Sequence, residues 1–253
     1  MIINDHVKMN KHIEIDIENR KIFKKKKLIR RVYYDYFNEI KKNINPNLNH
    51  QILEIGSSGF IKDIIPDCIT SNLEKNDPLI DRKINIFDLQ NEKEIFSNII
   101  LVDIFHHLQF PMLALKNLNN SLCEKGRVIL IEPAMGVLPR FVYKIFHHEP
   151  NGFDLNIDWS DNPKQDANKN SYFAAQALTW RAFVKKEMNY SKYFNIKKIS
   201  YFSDFAYLGS GGFSFKSMYP EKLYPFIKKI DYLLNFISRK FFAARMLIVL
   251  EKK

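Results

Sequence analysis

The spacing of apolar residues along the chain switches repeatedly between two periods. Short, nearly continuous apolar runs occur at Gln51–Ile55, Cys68–Leu73, Ile84–Leu89, Asn98–Asp103 and Arg127–Glu132. Runs of four to eight such residues read as strands buried on both faces. Several end on a polar side chain: Asn72, Asp88, Asp103 and Glu132. Between them lie stretches with helical spacing, notably Pro111 to Leu122, where Met112, Leu115, Leu118 and Leu122 share a face. Strands alternating with helices predict βαβ units and a mostly parallel sheet. Asn195–Ser200 and Arg245–Leu250 supply two further strands, which makes seven. The predicted class is α/β, with helices on both faces of the sheet. In open sheets of this kind ligands bind beyond the carboxyl ends of the strands, where the polar endings above collect.

The helical periods outside this core define the additions. Ile29, Val32, Tyr33, Tyr36, Phe37 and Ile40 mark one face of an amphipathic helix. It belongs to an N-terminal helical extension over residues 1–45, with the main domain over 46–253. Two insertions interrupt the main domain, at about 136–175 and about 205–240, and are expected to act as lids. A helix is predicted from Leu178 to Met188. In the second insertion, Leu223, Phe226, Ile227, Ile230, Leu233, Leu234 and Ile237 form a stripe on a helix running to Lys240. Such a stripe predicts packing as core or lid, with docking on a membrane surface as the alternative.

The first strand runs straight into a turn, Gly56-Ser-Ser-Gly59. A strand, a tight turn and a helix bring bare backbone N–H groups up to a bound cofactor. Gly56 and Gly59 permit the positive φ and the close approach that a side chain forbids. Glu54, at the strand's end, can reach a cationic or hydroxyl-bearing ligand.

These residues resemble the class I S-adenosylmethionine-dependent methyltransferases, with a type 11-like domain over about residues 50 to 135. The resemblance is carried by Leu53-Glu-Ile-Gly-Ser-Ser-Gly59, Asp88-Leu89 and Val102-Asp-Ile-Phe-His-His-Leu108. Pro111, the Leu122 to Gly126 turn and Val128-Ile-Leu-Ile-Glu-Pro133 complete it. More loosely, Arg30-Arg-Val-Tyr-Tyr34, His147-His-Glu-Pro150 and Ser210-Gly-Gly212 resemble a bacterial subgroup found among glycan and surface-polymer genes.

The resemblance implies a Rossmann-like fold, S-adenosyl-L-methionine as cofactor, and a small-molecule, glycan or lipid-linked methyl acceptor. It implies that Glu54, Gly56, Ser57 and Gly59 hold the methionine and ribose portion. Asn72 or Glu74 would take the ribose, Asp88 the adenine amino group, and Leu89 would cover the ring. Asp103 would line the cofactor beneath the methyl group. Acceptor recognition falls to His107, Glu149, Gly211 and Gly212, with His147 or His148 as the catalytic base. A structural role for His106 and His107 stays open beside these. Two departures stand out. Ser58 occupies the place of the family's middle glycine, or the turn is one residue shorter. Asn72 stands where an acid usually accepts the ribose hydroxyls, and a neutral acceptor is weaker by roughly 1 kcal/mol.

Composition narrows the remaining choices. The net charge is +11, and the Lys+Arg total is 39. Lysine dominates beside abundant Asn, Ile, Phe and Tyr, the signature of AT-rich codons rather than of a nucleic-acid face. Lys24-Lys-Lys-Lys27 is the single dense basic run and reads as the solvated end of the leading helix. Cys68 and Cys123 are the two cysteines, expected as free buried thiols in a reducing cytoplasm. They show no metal spacing. Adjacent residues of His147-His-Glu149 diverge if the chain is extended, so no metal is expected. No signal-peptide pattern or membrane-length apolar run occurs. Three rival readings follow from the same residues: a non-catalytic methyltransferase-like binding protein, an NAD(P)-dependent oxidoreductase, and an RNA methyltransferase.

Overall fold

A computed structural model describes residues 17–75, 77–146, 149–164 and 173–253 of the chain, with backbone alone for 90, 91 and 146. The seven strands are β1 (Gln51–Ile55), β2 (Cys68–Asn72), β3 (Arg82–Lys83), β4 (Phe96–Val102), β5 (Leu122–Pro133), β6 (Phe194–Phe202) and β7 (Arg245–Lys252). They form one sheet in the order β3-β2-β1-β4-β5-β7-β6. β1 pairs in parallel with β2 and β4, β4 with β5, and β2 with β3. β7 runs antiparallel to both β5 and β6. The chain thus folds as a Rossmann-like α/β domain with a mostly parallel sheet.

Alternate residues along the central strands feed two cores. Leu53, Ile99, Leu101, Val128, Leu130, Met246 and Ile248 face one side, packed under α3 (Pro111–Ser121). Ile100, Ile129, Ile131, Leu247 and Val249 face the other. There they meet Leu28, Val32, Phe37 and Ile40 of α2 (Lys27–Lys41), which follows a helical stretch, α1, over residues 17–25. The leading helix therefore contributes to the second of these cores through the apolar face that its spacing predicts. Its two basic neighbours, Lys24 and Lys25, are exposed.

Three local expectations are corrected. Ile84–Leu89 is not a strand: residues Ile86–Asn91 form a 3₁₀ helix, and the Asn85 side chain caps it by accepting from Phe87 N. The edge strand is the two-residue β3 just before it. The predicted helix at Leu178–Met188 is a single α-turn followed by a π-helical turn, Trp180–Val184. The stripe along α6 (Tyr224–Phe242) is only partly covered: Ile227, Ile230 and Leu234 are half-buried, with Ile227 packed on the second core. Leu223, Phe226, Leu233 and Ile237 are exposed, and Phe236 beside them is 89% exposed. Among the described residues the remaining α-helices are α4 (Val137–Phe146) and α5 (Phe205–Ser210).

Candidate active site

The carboxyl ends of β1, β2, β4 and β5 lie along one edge of the sheet, where ligands bind in open sheets of this kind. At β1, Gly56 has φ +70 and Gly59 φ +90, so both turns need the left-handed region that favours glycine. A Cβ on Gly56 would lie 2.1 Å from Ile104 Cδ1, and one on Gly59 2.5 Å from Leu79 Cβ. The turn is braced from below. Ser57 Oγ donates to Glu54 Oε2 and accepts from Gly59 N at 2.8 Å. Ser57 N donates to the Ser71 carbonyl, and Ser71 Oγ to the Glu54 carbonyl, both at 2.8 Å. Ser57 therefore does structural work inside the turn that a glycine there could not.

Glu54 is buried, and that burial pushes its carboxyl up to about 7, against the opposing hydrogen bond from Ser57. A folded-state pKa above the unfolded value of about 4.5 means that the folded chain holds a proton the unfolded chain has lost. Stability from this group is thus present below about pH 4.5 and declines as the pH rises to about 7. Glu54→Gln should raise the denaturant midpoint at pH 8 and leave it almost unchanged at pH 4.5. The expected gain is about 1–3 kcal/mol, from 1.36 kcal/mol per pKa unit less the lost charged hydrogen bond. A shallower pH slope persists in the variant, because burial also lifts Asp204 to about 7. A midpoint that falls at pH 8 would contradict the burial argument.

At the end of β2, Asn72 Nδ2 donates to the Ser57 carbonyl at 3.3 Å, and its Oδ1 accepts from Leu73 N at 2.8 Å. The strand stops here, so Glu74 does not continue its alternation. It pairs instead with Lys83 Nζ at 2.9 Å. Asp88 is exposed on the 3₁₀ helix beyond β3. Leu89 is 1% exposed and lies in the main core, which leaves it no surface to lay on an adenine ring. A groove of ≈ 460 Å³ opens on the outer side of the glycine turn, between Phe23, Arg30, Tyr34, Gly59 and Lys62. Neither Gly56, Asn72 nor Asp103 lines it, so it is set off from the strand ends where those residues sit.

At the end of β4, Asp103 takes φ +58 and its carboxylate is bound by the buried Arg245 guanidinium. Tyr33 reaches the same carboxylate at 3.5 Å from α2, and Arg245 also lies 4.7 Å over the Tyr207 ring. Sequence reasoning missed Arg245, which enters as the first residue of β7. The second insertion closes on this corner. Lys26 Nζ donates to the carbonyls of Gly212 at 2.7 Å and Phe215 at 2.8 Å, and Tyr33 meets Phe213 edge-on. Gly211 caps α5 at φ +72, where a Cβ would sit 2.5 Å from the Lys216 carbonyl. The backbone path itself thus requires glycine at 211.

Glu132, at the end of β5, organises the remaining loop. Its Oε1 accepts from the backbone N–H of Ile104 at 2.9 Å and Phe105 at 2.7 Å. Its Oε2 meets His106 Nδ1 at 2.7 Å and accepts from His106 N at 3.3 Å and Thr179 Oγ1 at 3.2 Å. Burial alone would lower the His106 pKa, but the Glu132 and Glu149 carboxylates overcome it and raise it to about 9. Next to it, burial and the His106 charge bring His107 down to about 4. Glu149, from the first insertion, lies 3.7 Å from both imidazoles and is held by Gln176. The structure therefore brings His107 and Glu149 together at the end of β4. His147 and His148 lie outside the described residues.

No family model matches the chain, and no curated protein matches its sequence. Solved structures match its fold. One is a SAM-dependent methyltransferase from Thermotoga maritima, described as a possible histamine N-methyltransferase. It superposes with a TM-score of 0.52 at 14% identity, over 92% of this chain and 94% of that one. A SAM-dependent methyltransferase from Archaeoglobus fulgidus gives 0.50 at 11% identity, over 88% and 94%. A geranyl diphosphate methyltransferase in complex with SAM gives 0.50 at 12%, over 88% and 87%. The fold of this chain is the fold of S-adenosylmethionine-dependent methyltransferases.

Proposed function

We propose that this protein transfers a methyl group from S-adenosyl-L-methionine to a small-molecule, glycan or lipid-linked acceptor. The observation that carries the reading is the braced glycine turn at the carboxyl end of β1, on a sheet with β7 inserted antiparallel between β5 and β6. A dinucleotide-binding sheet of the all-parallel 3-2-1-4-5-6 order has no such strand, which disfavours the oxidoreductase reading. The methionine portion is assigned to Glu54, Gly56, Ser57 and Gly59, the ribose to Asn72, and the adenine amino group to Asp88. Asp103 lines the cofactor with Arg245 behind it. In the transfer, the acceptor's lone pair attacks the methyl carbon as the sulfur–methyl bond breaks. The sulfonium becomes a neutral thioether and the acceptor's proton passes to a base. That base is assigned to His147 or His148, with His107 and Glu149 binding the acceptor. Alignment and exclusion of water supply most of what such a displacement needs from the protein. Calorimetric titration with S-adenosylmethionine and, separately, with NAD tests the reading. A folded sample that binds NAD or neither ligand sinks it.

A lipid-linked acceptor is favoured by one surface. α4 packs beside α6, and together they expose Phe141, Ile145, Phe226, Leu233, Phe236 and Ile237. Lys229 is exposed on the same helix, and Arg239 and Lys240 are exposed just past its break at Ser238. Among the described residues no helix is long and apolar enough to cross a membrane. Apolar side chains flanked by cations, on a chain of net charge +11, fit the surface of an anionic bilayer. The protein should pellet with vesicles containing phosphatidylglycerol and less with pure phosphatidylcholine. Phe236→Asp with Ile145→Asp should abolish pelleting while the fold persists. Equal pelleting of variant and parent would remove this surface from consideration.

A further inference from the structure

Two histidines and a glutamate converge where the first insertion returns to the end of β4. Nε2 of His106 lies 3.7 Å from Glu149 Oε2, and Nε2 of His107 lies 3.7 Å from Glu149 Oε1. Possible ligand atoms of all three residues lie within 4.8 Å of one another. Extended chain would send the two neighbouring imidazoles to opposite sides. Here Phe105–His107 is a 3₁₀ turn, and the rings stand with centroids 4.1 Å apart at a tilt of 39°.

Each ring is also oriented from behind. His107 Nδ1 is 3.1 Å from the Phe173 carbonyl, which can only accept, so Nδ1 carries the proton and Nε2 carries the lone pair. His106 Nδ1 faces the Glu132 carboxylate at 2.7 Å in the same manner. A carbonyl or carboxylate behind one nitrogen, with the other nitrogen turned toward a shared point, is how metal-ligating histidines are held. Glu149 is fixed in turn by Gln176 Nε2.

We infer that His106, His107 and Glu149 bind a divalent first-row transition metal of the zinc class, through the two Nε2 atoms and one carboxylate oxygen. Zinc bonds of about 2.0–2.2 Å in tetrahedral geometry place ligand atoms about 3.4 Å apart, so ligand atoms that now span up to 4.8 Å must draw together by as much as about 1.4 Å on binding. Two imidazoles and one carboxylate favour such an ion over magnesium or calcium, which prefer all-oxygen sites. Three protein ligands leave a fourth position, the arrangement of catalytic rather than structural zinc. Solvent reaches the cluster mainly at His107, whose side chain is 29% exposed against 4% for His106 and 9% for Glu149. On the methyl-transfer reading, an acceptor oxygen bound there would lose its proton more readily. Metal binding itself stands apart from that reading.

The test is calorimetric titration of the metal-free, full-length protein with zinc alone, alongside competition against a chromophoric chelator. One equivalent should bind saturably. His107→Ala and Glu149→Gln should each weaken it by more than about 100-fold, beyond the 10- to 100-fold typical of losing an outer-shell partner. Both variants spare the most buried member of the cluster, and circular dichroism checks that they fold. Cobalt(II) bound in the parent should give a visible ligand-field spectrum that both variants lose. No saturable zinc binding by the folded parent, or parental affinity in either variant, overturns the site. S-adenosylmethionine titration of the same metal-free sample reports separately on the methyl-transfer reading.

Discussion

Gly56→Arg is expected to abolish S-adenosylmethionine binding and leave the domain folded. The strand before the turn ends at Ile55, and the chain then reverses through φ +70 at Gly56. A non-glycine residue held there costs on the order of 1–2 kcal/mol. Any Cβ also meets Ile104, 2.1 Å from Cδ1 and 2.6 Å from Cγ1. Those atoms are the end of a flexible side chain, so the fold can yield. The cofactor cannot, because the arginine stem fills the space where backbone N–H groups must approach it. A loss of more than about 100-fold, near 2.8 kcal/mol, is the expected calorimetric result. Thermal unfolding should remain cooperative. Unchanged affinity in a folded variant would mean that the cofactor pocket lies elsewhere.

How much of this was legible beforehand depended on which force set each feature. Strands β1, β2, β4, β5 and β7 were readable because both faces of the sheet are covered, which demands continuous apolar runs such as Asn98–Val102. Ile84–Leu89 imitated that pattern. Its apolar residues Ile86 and Leu89 do reach the core, but from a 3₁₀ turn whose start is set by the Asn85 cap. Leu89 was consequently misplaced as an adenine cover. Glu74 was misplaced because strand length, not alternation, decided its direction. The stripe on α6 shows a different limit. Helical spacing reveals that one face is apolar, but not whether protein covers it. Arg245 was invisible for a similar reason: a basic residue at a strand's start does not announce that it will hold Asp103. The meeting of His106, His107 and Glu149 is likewise tertiary, made by the first insertion folding back so that Ala175 N donates to the His106 carbonyl at 3.0 Å.

Glu132→Ala should be among the most destabilising single changes in the chain, about 3–5 kcal/mol. The carboxylate is fully buried and takes five donors from two segments: three consecutive backbone N–H groups and the imidazole of residues 104–106, and the Thr179 hydroxyl. Removing one member of a buried charged pair costs about that much, because the partner is left uncompensated. Here the orphaned N–H groups of Ile104, Phe105 and His106 add to the cost. Glu132→Gln separates charge from shape. It keeps one accepting oxygen and turns an NH₂ toward groups that themselves donate, so it should lose nearly as much. Urea unfolding measures both variants, and amide hydrogen exchange at residues 104–106 should accelerate before global unfolding. Since those residues carry the wall against Gly56 on one side and His107 on the other, both flanks of the loop should loosen together. A loss below about 1 kcal/mol in both variants would show that the loop after β4 is held by packing alone.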